Sequence, residues 1–148
     1  MAEEVNDLSR ILNIASVLLF IGAIFGVISG LMYLILAPLD GEVIGITASE
    51  ISAFNPNLLE KITHLHRSLG LYMLSLSLVL CYISMVPFRQ GKKWAWYLTL
   101  VVFGLAIVGQ LVLVYLASNV MAAYFLPASL ILVILWIVAL ILPIKNLS

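Results

Sequence analysis

The chain has 148 residues, of which 64% are hydrophobic and only 9% are charged. Soluble globular domains carry about 25% charged residues, so this composition excludes an ordinary soluble domain. The seven Lys and Arg residues balance the seven Asp and Glu residues. No strongly basic surface is therefore available to attract nucleic acid, and we expect no nucleic-acid partner.

Three long stretches of the sequence contain neither a charged residue nor a histidine: 11–39, 68–88 and 94–144. A transmembrane helix needs about 20 predominantly apolar residues, so the first two stretches hold one span each and the third holds two. We predict an all-α membrane protein, a four-transmembrane-helix bundle of up-down-up-down topology in a single domain. The predicted parts are spans over about 8–36, 68–86, 94–116 and 122–142, a short extracytoplasmic helical cap over 38–67, and a basic cytoplasmic loop over 87–93.

The loop between the second and third spans sets the predicted orientation. It holds Arg89, Lys92 and Lys93 and no acidic residue, and Lys and Arg concentrate in cytoplasmic loops. Both termini of a four-span protein are then cytoplasmic. The segment 1–7 is acidic, unlike the basic start of a secretory signal, so we expect the first helix to be retained and the chain to be a multi-pass protein of the cell membrane.

The most specific local pattern is a run of glycines in the first span. Gly22, Gly26 and Gly30 are spaced by four and lie on one helix face, where the missing side chains let another helix approach closely. Two interpretations stay open: packing within the bundle, or association with a second copy or a larger membrane complex. Gln110, an amide within the third span, is predicted to bond to a neighbouring helix because an unpaired amide is costly in lipid.

The cap region carries two signals for the start of a helix. Thr47 and Glu50 have the spacing of a capping box, which predicts a short helix over about 48–54. Asn55 and Pro56 are typical of an N-cap followed by the first helical residue. The apolar spacing after Pro56 indicates that the second span extends outward by about three turns.

One polar cluster lies at the outer mouth of the second span. Glu60, His64 and Arg67 share a helix face and are candidate contacts for a ligand or a lipid headgroup, whereas His66 points to the other side. The alternative is a solvated helix end. Two histidines on opposite faces cannot bind one metal, and the single Cys81 cannot form a disulfide or a cysteine-based metal site within one chain. We therefore predict no catalytic residue and no metal site, and the sequence identifies no cofactor.

A recurrent pattern covers residues 45–97. Its residues are Thr47, Glu50, Asn55, Pro56, Arg67, Gly70, Arg89, Gly91, Trp94, Ala95 and Trp96. In this pattern the chain resembles small four-span integral membrane proteins of prokaryotes, which have no assigned activity. The resemblance implies the topology and no functional residue.

The sequence favours a non-enzymatic integral membrane protein, a small structural or accessory subunit that associates through its glycine-rich helix face. The alternative is a binding or carrier protein for a lipophilic ligand such as a quinone, a lipid or haem. That alternative predicts an apolar cavity beside Gln110, or one near His64 and Arg67. A membrane enzyme ranks third because only the outer polar cluster could serve it. The expected partners are the lipid bilayer and either copies of the chain or a larger membrane complex.

Overall fold

The computed structural model describes the backbone of residues 2–36, 47–116 and 119–144, with side chains over 9–36, 47, 49–109, 111–112 and 130–144. These residues form helices, with no strand among them, which confirms the predicted all-α class. The helices are α1 (Ala2–Ile35), α2 (Ala48–Phe54), α3 (Pro56–Ile83), a π-helical turn (Ser84–Phe88), α4 (Lys93–Leu116) and α5 (Asn119–Ile141). The first part of the predicted cap, 38–46, lies outside the described residues.

Helices α2 and α3 begin where the sequence predicts. Thr47 Oγ1 accepts a hydrogen bond from the Glu50 amide at 3.2 Å, and Glu50 Oε2 accepts one from the Thr47 amide at 2.6 Å, so the capping box is complete. Asn55 Oδ1 accepts a hydrogen bond from the amide of Asn57 at 3.0 Å, and Pro56 is the first residue of α3. Both predicted helix starts are confirmed.

The predicted second span ends at about residue 86, just before Pro87. In the structure the helical path instead continues through Pro87 as the π turn. Proline has no amide hydrogen, and in an α-helix its ring collides with the carbonyl four residues earlier. The wider π turn accommodates the ring, which explains the change of helix type at this point. Gly91, at φ 71°, then reverses the chain, and the Lys92 amide donates to the Pro87 carbonyl at 3.1 Å.

Helix α1 lies at the centre of the arrangement. It packs antiparallel against α3 over much of its length and also against α5, and α4 packs antiparallel against α5. Among the described residues, contacts between α3 and α4 are few. The described helices therefore neighbour one another in the order α3, α1, α5, α4. The side between α4 and α3 is only partly closed.

The buried core lies near the end that carries the basic loop. Its members are Ala15, Leu19, Ile83, Phe88, Ala95, Ala139 and Leu140. Two tryptophans tie α4 to α5 beside it. Trp96 Nε1 donates to the Leu140 carbonyl at 3.0 Å, and Trp136 Nε1 donates to the Thr99 carbonyl at 3.4 Å. Both indole N–H groups of these half-buried tryptophans thus find backbone acceptors.

All four long helices expose large apolar side chains. Phe25 on α1 is 52% exposed, Leu105 on α4 is 72% exposed and Ile134 on α5 is 60% exposed. The stretches Ser9–Ile35 and Pro56–Phe88 are long and apolar enough, by length and composition, to cross a membrane. Within the described residues, Lys93–Gly109 and Leu130–Ile141 are shorter apolar helical stretches. The structure therefore supplies two candidate spans.

Candidate functional sites

The predicted glycine face brings α1 into backbone contact with α3. A Cβ atom built on Gly30 would lie 2.7 Å from the amide nitrogen of Leu74 and 2.9 Å from the carbonyl oxygen of Gly70. One built on Gly26 would collide with the Ser77 hydroxyl. Because real Cβ atoms do not approach other atoms so closely, only glycine fits at Gly30 without moving the backbone of α3.

Gly22 lies in a different environment. A Cβ atom built there would meet Leu132 of α5 at 4.0 Å, which is ordinary van der Waals contact. The three glycines therefore do not form one uniform surface, since two face α3 and the third faces α5. Packing within the chain accounts for Gly26 and Gly30.

The predicted role of Gln110 is not tested by these contacts. Its backbone belongs to α4, and its side chain lies outside the described part. The predicted bond from this amide to a neighbouring helix stays a prediction.

The residues of the outer polar cluster are exposed. No hydrogen bond or ion pair among the described side chains joins Glu60, His64 and Arg67, although the His64 carbonyl accepts a hydrogen bond from the Ser68 hydroxyl at 2.9 Å. The structure leaves these three side chains on the surface of α3. Their predicted contact with a ligand or headgroup stays a prediction.

His66 lies on the other side of α3, as predicted, and stacks on an aromatic ring of α1. The Tyr33 and His66 ring centroids are 4.3 Å apart and the ring planes differ by 13°. His66 precedes the uncharged stretch that begins at Ser68, and its partial burial lowers the pKa of the imidazole below the ordinary 6.5. The stack links α1 to α3 one turn of α3 away from Gly70.

Sequence reasoning missed two polar links at the opposite end of α1. The hydroxyl of Ser16, which is 1% exposed, donates to the carbonyl of Ser84 in the π turn. Arg89 Nε donates to Asn13 Oδ1 at 2.5 Å. Asn13 and Ser16 are three residues apart and so share a helix face, which is the signal that could have identified them.

An open groove of about 680 Å³ lies beside these links, and we call it the Arg89 groove. Its lining residues are Ser9, Leu12, Asn13, Met85, Val86, Arg89 and Gln90. A second, smaller groove of about 200 Å³ is lined by Lys93, Trp96, Tyr97 and Ile144. Neither groove includes His64 or Arg67. Among the described residues, no group of three or more His, Cys, Asp or Glu side chains is placed to hold a metal ion.

Comparison with known proteins assigns no family to the chain. No protein-family model matches it, and no curated protein or solved structure does. The resemblance to small four-span membrane proteins stays a prediction from the sequence.

Proposed function

We propose that the chain is a four-span integral membrane protein with cytoplasmic termini that acts as a small, non-enzymatic structural or accessory subunit. The observation that carries the proposal is the apolar surface of all four long helices, on which side chains such as Leu105 are largely exposed. Apolar surface in water is unfavourable by about 25 cal/mol per Å². Patches beyond a few hundred Å² are typical of membrane or protein contacts, and lipid tails would cover them here.

The lengths of α4 and α5 support four spans rather than two. They contain 24 and 23 residues respectively, and at about 1.5 Å per residue each exceeds the roughly 30 Å of the hydrocarbon core. Helix α5 is antiparallel to both of its neighbours, α1 and α4. This alternation is compatible with an up-down-up-down path that places the basic loop on one side.

In this proposal, other proteins bind to surfaces outside the contact between α1 and α3. Gly26 and Gly30 already pack against α3, so a partner could use them only if the two helices separated. The partly open side between α3 and α4 leaves apolar faces for a second copy or a different membrane protein. Within this proposal the glycines hold the chain together, and the exposed faces meet the partner.

Membrane topology is tested by labelling single cysteines in a Cys81→Ser background with a membrane-impermeant maleimide on intact cells. We expect Asn57→Cys and Asn119→Cys to react from outside, and Gln90→Cys to react only after the membrane is permeabilised. Asn119 is the discriminating position because it starts α5 at the hairpin between the last two spans. Labelling of Asn119→Cys only after permeabilisation would overturn the four-span part, and extraction of the protein by carbonate would overturn membrane insertion.

The subunit role is tested by native mass spectrometry of the protein purified from its own membranes in mild detergent. A whole multiple of 16.2 kDa indicates self-association, and a different sum identifies a partner. The bare monomer alone would contradict the subunit role. The monomer with a discrete small adduct would contradict it as well and would favour the lipophile-binding alternative.

A further inference from the structure

We propose that the Arg89 groove binds the headgroup of an anionic phospholipid, with the guanidinium of Arg89 on the phosphate. This inference rests on the proposed membrane location and adds a specific ligand site to it. The groove lies where α1 meets the π turn and the basic loop, at the end of the helices that the charge distribution places in the cytoplasmic leaflet. Anionic lipids are concentrated in that leaflet.

Arg89 is held in place by α1 rather than extended freely from its loop. Its Nε donates to Asn13 Oδ1 at 2.5 Å, which uses one of the five donors of the guanidinium. The other four N–H bonds belong to the two terminal nitrogens, which lie in the same plane and suit two oxygens of one phosphate. Since Asn13 already fixes the plane, binding a phosphate immobilises less of the side chain than at a freely rotating arginine.

The lining of the groove is divided in a way that fits an amphiphile. Ser9, Asn13, Arg89 and Gln90 supply polar groups, whereas Leu12, Met85 and Val86 supply apolar surface. A free phosphate would gain nothing from the apolar part. A phospholipid can place its phosphate on Arg89 and the start of its acyl chains against the apolar residues, so we assign the groove to a lipid.

The charges around the groove favour an anion. None of the seven lining residues is acidic, and Arg89 among them is basic. The nearest acidic residue on α1 is Asp7, six positions before Asn13. At about 1.5 Å per residue it lies roughly 9 Å farther along the helix axis. No acidic residue of α1 therefore lies within one helical turn of Asn13.

The test is native mass spectrometry of the full chain in mild detergent, titrated with dioleoyl phosphatidylglycerol or with dioleoyl phosphatidylcholine. These lipids have the same acyl chains and differ in net headgroup charge. Both lipids carry the phosphate that Arg89 would contact, but the guanidinium repels the choline ammonium of phosphatidylcholine. We therefore expect about tenfold tighter binding of the anionic lipid. Arg89→Gln should remove the preference. The matched control is Lys92→Gln, which removes the same charge outside the groove and should change binding less than about twofold.

A second variant keeps the site testable if Arg89→Gln disturbs folding. Val86→Trp fills the apolar part of the groove without changing any charge, and it should weaken binding of the anionic lipid while thermal unfolding stays near that of the wild type. Equal binding of the two lipids, or equal losses in the Arg89 and Lys92 variants, would overturn the site.

The source of the phosphate is tested separately with inorganic phosphate. Its appearance as a stable adduct that displaces the anionic lipid would overturn the assignment to a lipid. The labelling experiment does not depend on lipid preference, so the two proposals can fail independently. A chain that spans the membrane but shows no lipid preference overturns only the groove site.

Discussion

Gly30 of α1 and Gly70 of α3 lie opposite each other so closely that a Cβ atom built on either would be 2.9 Å from the carbonyl oxygen of the other. The two backbones are therefore in direct contact where the helices cross. Such an approach gains dispersion and weak Cα–H···O contacts that larger residues would prevent. In lipid, where tails are as apolar as the helices, close packing of this kind is a principal source of helix association.

Replacing Gly30 should weaken the packing of α1 on α3. In Gly30→Ala the new methyl group would meet backbone atoms of Leu74 and Gly70, which cannot rotate away as a side chain can. We expect a loss of about 1–3 kcal/mol in the free energy of unfolding, typical of overpacking. Unfolding in mild detergent, followed by tryptophan fluorescence, measures this loss.

Two other glycines provide matched controls for this substitution. Gly109 of α4 has nothing within 4 Å of a built Cβ atom, so Gly109→Ala should leave stability unchanged or raise it by up to about 1 kcal/mol through helix propensity. Gly22→Ala should also be tolerated, because its methyl group would make an ordinary contact at 4.0 Å. If all three alanine variants were equally stable, the close approach at Gly30 would be wrong.

The buried link between α1 and the π turn should also be measurable. Ser16→Ala removes the hydroxyl that donates to the Ser84 carbonyl and leaves that buried acceptor without this donor. We expect a loss of about 1–2 kcal/mol in the free energy of unfolding. The control is Ser75→Ala, because the exposed Ser75 hydroxyl bonds only to the carbonyl of Leu71 in its own helix, at 2.8 Å. Equal stability of the two variants would contradict a structural role for the link at Ser16.

The stack of Tyr33 on His66 should make the contact between α1 and α3 sensitive to pH. Burial lowers the pKa of His66 in the folded protein, so the unfolded chain takes up the proton first as the pH falls. The stability contributed by the neutral imidazole is therefore fully present above pH 6.5, the ordinary pKa. It is lost as the pH falls below that value and through the lower pKa of the folded state. His66→Phe keeps an aromatic ring on Tyr33 and should remove this part of the pH dependence of unfolding. His64→Phe, a change at an exposed histidine, should leave it in place.

The features that could be predicted from the sequence are the local ones. A capping box depends on residues three apart, so Thr47 and Glu50 were sufficient to predict the start of α2. The glycine spacing predicted close helix contact at Gly26 and Gly30, but it could not identify the α3 residues that they meet. Those pairings depend on how two helices cross, which the helical period of one sequence does not determine.

The Arg89 groove also depends on contacts between distant parts of the chain, which local sequence patterns do not identify. Arg89 and Asn13 are separated by 76 positions in the chain, so no local pattern joins them. The π turn could not be predicted from the sequence either, because a proline near the end of an apolar stretch usually indicates where a helix stops. The charge pattern does predict a basic loop that contains Arg89. Asn13, the residue that fixes the Arg89 side chain, could be identified only from the packing of α1 against the π turn.

The capping box at α2 gives a test outside the proposed spans. The hydrogen bonds from the Thr47 backbone amide and hydroxyl lower the pKa of the Glu50 carboxyl below its ordinary 4.5, so the folded state favours the charged form. The unfolded segment takes up the proton first as the pH falls, and the stabilisation is present above 4.5 and lost as the pH falls below it. Hydrogen exchange of Ala48–Phe54 should therefore accelerate at acidic pH relative to the intrinsic rate.

Glu50→Ala should accelerate exchange at neutral pH, whereas Glu50→Gln keeps an acceptor for the Thr47 amide and should retain most of the protection. Equal exchange in the two variants would show that the reciprocal bond from Glu50 does not stabilise this helix.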